Sequence, residues 1–171
     1  PKNHRTYYEK KLMKNFNIMT KRFCVRKLKL FDVNLNYLQW FKEKEIQNFI
    51  GKTNYKNISE LKNYFKIENK KKDTIFLGIF TKQNNQHIGN IKFYNLHKVK
   101  NSCELGIMIG NKNWRNKSVA YETLVSCLKN LKKNFLIKKI YLGVEKKNHS
   151  AVKLYKKIGF NIIKVKTRNH R

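Results

Sequence analysis

The chain has 171 residues, is 40% hydrophobic and carries 11 Phe, which is enough for one domain with a real core and a short tail. No run approaches the ~18 apolar residues of a membrane-spanning helix, and residues 1–15 lack the apolar centre of a secretory signal. Lys and Arg number 40 against 10 Asp and Glu, a net charge of +30; such a field favours nucleic acid, anionic membrane or phosphorylated small molecules, the plainer alternative being a solvated Lys-rich surface.

Residues 1–20 read as a basic tail, and residues 21–171 as the domain. The chain opens on Pro1, which leaves processing or upstream sequence open; Met19 stands just before the first expected strand. KRFCVRKLKL (21–30) alternates apolar and basic residues and predicts an edge-like strand. Asp32 or Asn34 can cap a helix carrying Leu35, Leu38, Trp40 and Phe41, which runs on to Gly51. Ser59 opens a second helix, SELKNYFKIEN, with Leu61, Tyr64 and Phe65 on one face. TIFLGIFT (74–81) is apolar throughout and predicts a central strand. KQNNQ (82–86) is a hairpin loop, HIGNIKFYN (87–95) its partner strand, and SCELGIMIG (102–110) the third strand of a meander.

The stretch from Glu104 to Phe160 organises the rest. ELGIMIG is followed by a loop, a helix over 118–133 and the strand KKIYLGV, a βαβ unit with parallel strands. Asn148 then caps a short helix ended by Gly159, and a last strand is expected over 161–166. The order is β-α-α-β-β-β-α-β-α-β, an α/β (α+β) fold with a mixed, mostly antiparallel sheet and helices on both faces. The loop Asn111–Lys117 carries Lys112, Arg115 and Lys117 onto a helix N-terminus. Free backbone N–H groups, the positive end of the macrodipole and these cations make an anion site fit for a pyrophosphate.

Cys24, Cys103 and Cys127 are odd in number and lack CxxC spacing. They read as reduced thiols in a reducing compartment, the cytoplasm or an organelle matrix, with a catalytic Cys as the sharper alternative. The five His are scattered, so no metal is expected.

Taken together, HIGNIKFYN, ELGIMIG, W-R-x-x-S-x-A and NHSAVKLYKKIGF resemble the GCN5-related N-acetyltransferase (GNAT) superfamily over about residues 21–166. The likeness lies toward its ribosomal-protein and nucleotide-amino-sugar acetyltransferase branches. The resemblance implies direct transfer of acetyl from acetyl-CoA, as co-substrate, to an amine, without a metal. It implies that Arg115, Asn116, Lys117, Ser118, Val119 and Ala120 form the pyrophosphate loop. Ser118 replaces the usual Gly, and if φ is positive there a Cβ costs on the order of 1 kcal/mol. The pantetheine arm would run along ELGIMIG, where backbone N–H groups of Met108, Ile109 and Gly110 can polarise the thioester carbonyl. Asn148 would bond the pantetheine amide and Tyr155 protonate the leaving thiolate; the plainer alternatives are an N-cap and a core aromatic.

Glu104 is the candidate base, with a surface salt bridge as its alternative, and His87 and His97 are weaker candidates. Gly143 stands where some family members carry a Glu. Trp40, Phe41, Tyr55 and Tyr64 would wall the acceptor. The charge repels a basic peptide and attracts an anionic acceptor such as a nucleotide-linked amino sugar. A rival reading is a structural, RNA-bound component of a ribosome or similar particle. The family's strand beyond 161–166 has little chain left here: either further sequence supplies it, or a partner, a second copy included, completes that edge.

Overall fold

The computed structural model describes residues 16–50, 55–97, 99–135 and 137–164. Six strands lie in sequential order: β1 (Asn17–Met19), β2 (Phe23–Lys27), β3 (Ile75–Thr81), β4 (His87–His97), β5 (Ser102–Ile109) and β6 (Lys139–Tyr141). Neighbours pair antiparallel except β5 and β6, which are parallel. The helices are α1 (Leu35–Trp40), α2 (Lys44–Ile50), α3 (Ile58–Lys70), α4 (Val119–Phe135) and α5 (His149–Ile158).

Every residue of β3 is buried, as a strand covered on both faces requires. Ile75, Leu77 and Ile79 point into a core shared with Leu124, Cys127 and Leu131 of α4. Phe76 and Phe80 point the other way, into a core with Tyr37, Leu38 and Trp40 of α1 and Leu61 and Phe65 of α3. Each such side chain stabilises by roughly 1.5–3 kcal/mol on burial. The helix face expected in α4 forms, with Leu124 and Leu131 fully buried and Ala120 and Leu128 half-buried.

Four local expectations are corrected. Residues 17–19, assigned to the tail, form β1, three residues being too short for any period to register; residues 1–15 lie outside the described residues. The helix expected from Leu35 to Gly51 breaks after Trp40, because burying Tyr37, Trp40, Phe41 and Ile46 in one core re-aims the chain. There the Gln47 side chain donates to the Phe41 carbonyl at 2.8 Å. Helix α3 is capped by Asn57, not Ser59: Asn57 accepts from the Glu60 amide at 3.0 Å, and Glu60 accepts from the Lys56 amide at 2.9 Å. Residues 161–164 form no strand, and Ile162 and Ile163 stand exposed; 165–166 lie outside the described residues. Alternation in NIIKVK defines the faces a strand would have, not an edge for it to pair with.

The end of β5 is the tightest point. A β-carbon at Gly110 would lie 1.9 Å from Trp40 Cδ2. Gly110→Ala should therefore cost about 1–3 kcal/mol, measured as a lower urea midpoint. Gly106→Ala, whose nearest neighbour would be Tyr94 Cε1 at 3.9 Å, should stay within about 0.5 kcal/mol of the parent.

Candidate active site

Strands β5 and β6 pair only at Ser102–Lys139, Cys103–Ile140 and Glu104–Tyr141. From Leu105 to Ile109, β5 remains paired with β4 but has no strand on its other side among the described residues. The parallel pair thus forks at Glu104 and Tyr141. Past the fork, backbone N–H and C=O groups of β5 line an open edge, the arrangement that accepts an extended chain. Met108, Ile109 and Gly110 lie at its far end.

The loop after β5 begins with the Asn111 amide bonded to the Ile88 carbonyl, and the Asn111 side chain accepts from the Asn113 amide, both at 3.0 Å. A 3-10 turn, Lys112–Trp114, sets Trp114 edge-on to Phe23 at 5.5 Å. Asn116 and Ser118 both have φ of 57°. Ser118 therefore occupies the left-handed conformation that a glycine would hold without penalty, at a cost of about 1 kcal/mol. Val119 and Ala120 open α4 directly behind it. Lys112 and Lys117 are exposed.

A clamp not foreseen from sequence holds the helix start. Glu122 accepts from Thr20 Oγ1 at 2.7 Å, from the Arg22 amide at 2.8 Å and from Arg22 Nε at 2.8 Å, while Arg22 Nη2 donates to the Lys117 carbonyl at 2.8 Å. Burial works to raise the Glu122 carboxyl, but the bonds from Arg22 and Thr20 outweigh it and hold the group below its ordinary value. An acid in the first turn of a helix was the sequence signal for this role.

Arg115 stands otherwise than a free phosphate ligand would. Nε donates to the Ile109 carbonyl at 3.0 Å and Nη2 to the Gly110 carbonyl at 2.7 Å. Nη2 also pairs with Glu43, and Nη1 with Glu45, each at 2.8 Å.

Glu104 sits at the fork. The register of β4 shifts between Tyr94 and His97, and Asn95 in that bulge takes φ of 52°. The bulge turns Asn95 toward Glu104, and its Nδ2 donates to the carboxylate at 2.8 Å. Burial, then the nearby Glu104 carboxylate, raises the Tyr94 phenol above its ordinary value. Glu104 opens on a cleft of about 460 Å³ shared with Asn95, His97, Lys100, Lys139 and Tyr141. The salt bridge set against the base role does not form among the described residues; the carboxylate's partners are the Asn95 amide and the Tyr94 hydroxyl.

Asn148 caps α5, accepting from the Ala151 amide at 3.1 Å. Tyr155 packs against the main core, with Phe160 edge-on at 5.8 Å. Burial raises its phenol, which keeps the proton on the oxygen. Gly159 takes the left-handed φ of 107° that ends the helix. Gly143 has nothing within 4 Å of the place a side chain would take.

Of the residues expected to wall the acceptor, Trp40 and Phe41 are buried and serve the core, while Tyr55 and Tyr64 are half-buried and pack at 5.4 Å. Beside them Lys92 pairs with Glu68 at 2.6 Å and donates to Tyr64 Oη at 3.3 Å; Lys71 also pairs with Glu68, at 2.7 Å. His87 does not reach the fork. It stacks on Phe80 at 4.9 Å, and its Nε2 bonds Asn90 Oδ1 at 2.9 Å and the Gly89 carbonyl at 3.1 Å. Cys103 and Cys127 are buried thiols pushed up to about 12, chiefly by desolvation, and so are weak nucleophiles at neutral pH. No group of three or more His, Cys, Asp and Glu able to hold a metal comes together among the described residues.

The acetyltransferase (GNAT) domain family matches residues 22–161, and the chain belongs to it. Its fold is similar to that of spermidine N-acetyltransferase from Vibrio cholerae in complex with CoA and spermine: TM-score 0.72, 20% identity, 80% of this chain and 79% of that one covered. It is similar to ribosomal-protein-S5-alanine acetyltransferase from Vibrio fischeri at TM-score 0.74 and 13% identity, over 86% and 84%. A GNAT-family acetyltransferase from Bacillus anthracis gives TM-score 0.73 and 19% identity, over 84% and 82%. No curated protein sequence matches. By its family, then, the chain is an acetyltransferase.

The His87 pocket has a measurable signature. Burial outweighs the bonds to Asn90 Oδ1 and the Gly89 carbonyl and lowers the imidazole below its ordinary value. The folded state therefore binds this proton less readily than the unfolded chain, and stability falls as pH drops below about 6.5. Urea midpoints between pH 7.5 and 5.5 should fall less steeply in His87→Phe than in the parent.

Proposed function

We propose that this chain transfers acetyl from acetyl-CoA to the primary amine of a small anionic acceptor, of the class of nucleotide-linked amino sugars. The observation that carries the reading is the fork: an open β5 edge that leads from a basic, left-handed loop to a carboxylate facing a cleft. A cofactor of this shape fits the donor set. Lys112, Lys117 and the first amides of α4 suit the pyrophosphate, and the β5 edge suits the pantetheine amides. When bound, acetyl-CoA supplies the activated thioester.

The residues of the chain then divide the work. Backbone N–H groups from Met108 to Gly110 stabilise the oxygen of the thioester carbonyl as negative charge develops there. Glu104, held in place by Asn95, takes the proton from the acceptor ammonium through a chain of waters, since about 13 Å of extended strand separates it from Met108. Tyr155, kept protonated by burial, donates to the departing sulfur. Asn148 Oδ1 is committed to the cap, which leaves its Nδ2 for a pantetheine carbonyl.

The preference for an anionic acceptor rests on the rim of the cleft. Lys100, Lys139 and His97 surround one carboxylate that is hydrogen-bonded to an amide, and the whole chain is at +30. A polycation would meet repulsion, whereas a phosphorylated amine would be drawn in with its ammonium toward Glu104. The same charge favours a second reading, RNA held through phosphate contacts. Binding to RNA that vanishes in high salt, with acetyl-CoA binding absent, would favour it.

Calorimetry on nuclease-treated protein should give micromolar acetyl-CoA binding; no binding at millimolar acetyl-CoA overturns the reading. Against amino-sugar nucleotides, Glu104→Gln and Tyr155→Phe should each lower kcat by roughly 10²-fold while leaving acetyl-CoA affinity within about threefold. Unchanged turnover in either variant removes that residue from the mechanism.

A further inference from the structure

The loop arginine has a task that its place in a phosphate-binding motif does not suggest. Three of the five N–H donors of Arg115 are hydrogen-bonded, to the carbonyls of Ile109 and Gly110 and to the carboxylate of Glu45, and Nη2 is also ion-paired with Glu43 at 2.8 Å. Its side chain is only 15% exposed. The two carbonyls end β5, where the open edge meets the loop. The two carboxylates come from the turn between α1 and α2 and from the first turn of α2.

A second contact joins the same two segments: the Trp40 ring lies on Gly110 where a β-carbon would stand. Segment 40–45 is thus tied to segment 109–115 by one apolar and one ionic link. Both acids also lie near the positive end of α2, which favours their negative charge. A guanidinium is suited to this place, because its planar fork can meet four oxygens at once, whereas an ammonium is a point charge.

We propose that Arg115 is a positioning residue that braces the cofactor loop against the acceptor-side helices, and that the pyrophosphate is met by the loop amides with Lys112 and Lys117. The proposal rests on the reading of the loop as the acetyl-CoA site. The loop cations are then divided by role: the two exposed lysines face the anion, and the buried arginine holds the geometry. Loop and acceptor wall move as one body, so damage to the brace lowers cofactor affinity without removing a phosphate contact.

The test compares Arg115→Lys, Arg115→Gln and Lys117→Gln with the parent. Acetyl-CoA binding is measured by calorimetry at 50 and 300 mM NaCl, and thermal unfolding without ligand. Both Arg115 variants should unfold at lower temperature and weaken acetyl-CoA to a similar degree, about tenfold, with the salt dependence of the parent. Lys117→Gln should keep the parent's unfolding temperature and show a flatter salt dependence, since a screened contact to phosphate has been lost. Arg115→Lys binding as tightly as the parent, or Arg115→Gln flattening the salt dependence as Lys117→Gln does, would make Arg115 a phosphate ligand and overturn the proposal. Should the parent itself fail to bind acetyl-CoA, the cofactor reading falls, and the brace is judged separately. Combining Arg115→Gln with Glu43→Gln must then cost less in thermal stability than the sum of the two single changes; additive losses overturn it.

Discussion

Everything of functional interest in this chain depends on the pairing of β5 with β6 for only three residues. Hydrogen-bonded pairing is the default state of a buried strand edge, because an unpaired N–H or C=O away from water is costly. Here the edge stays open past Glu104 among the described residues. The fork requires that β5 be rigid without a second neighbour. Continuous pairing with β4 supplies that rigidity along the strand, and Trp40 and the Arg115 fork supply it at the end. An edge held straight and left unpaired is a site for an extended ligand.

A chain with 10 acids against 40 bases has few anions to spend, and this fold spends them at joints. Glu122 ties the start of α4 to the β1–β2 hairpin, and Asp32 pairs with Arg26 beside the core. Glu68 draws Lys71 and Lys92 together at the edge of the acceptor side, and Glu43 with Glu45 holds Arg115. Each of these joints has at least one partly buried partner, where Coulomb attraction is screened less than at the surface. Glu104 is different. Its partners are neutral, the Asn95 amide and the Tyr94 hydroxyl, so it keeps lone pairs for another donor. In a protein of net positive charge, a carboxylate held by neutral groups at the mouth of a cleft is the exception, and on the proposed reading it is the base.

The family resemblance was legible because its parts are local. A glycine-terminated helix with a cap at Asn148, an apolar strand and a basic loop are each set by neighbours in sequence. The site was less legible, and the reason is geometric. Nothing in the spacing of Arg115 announces Glu43 and Glu45, some seventy positions earlier. The role of Trp40 as a lid over Gly110 is equally remote; the family resemblance had it as acceptor wall. Asn148 illustrates the opposite case, since the cap expected of its type is the contact it makes.

From the sequence alone follow the meander of β3, β4 and β5, the central place of β3, the parallel βαβ unit, the capped last helix and the basic loop, because period, run length and turn chemistry are properties of adjacent residues. Tertiary structure alone decided where the helix after Asn34 breaks, which residues form β1, where the fork opens and which cations are free to meet an anion. Those outcomes turn on contacts between segments far apart in the chain, where packing volume and charge pairing choose among partners that local pattern leaves equivalent.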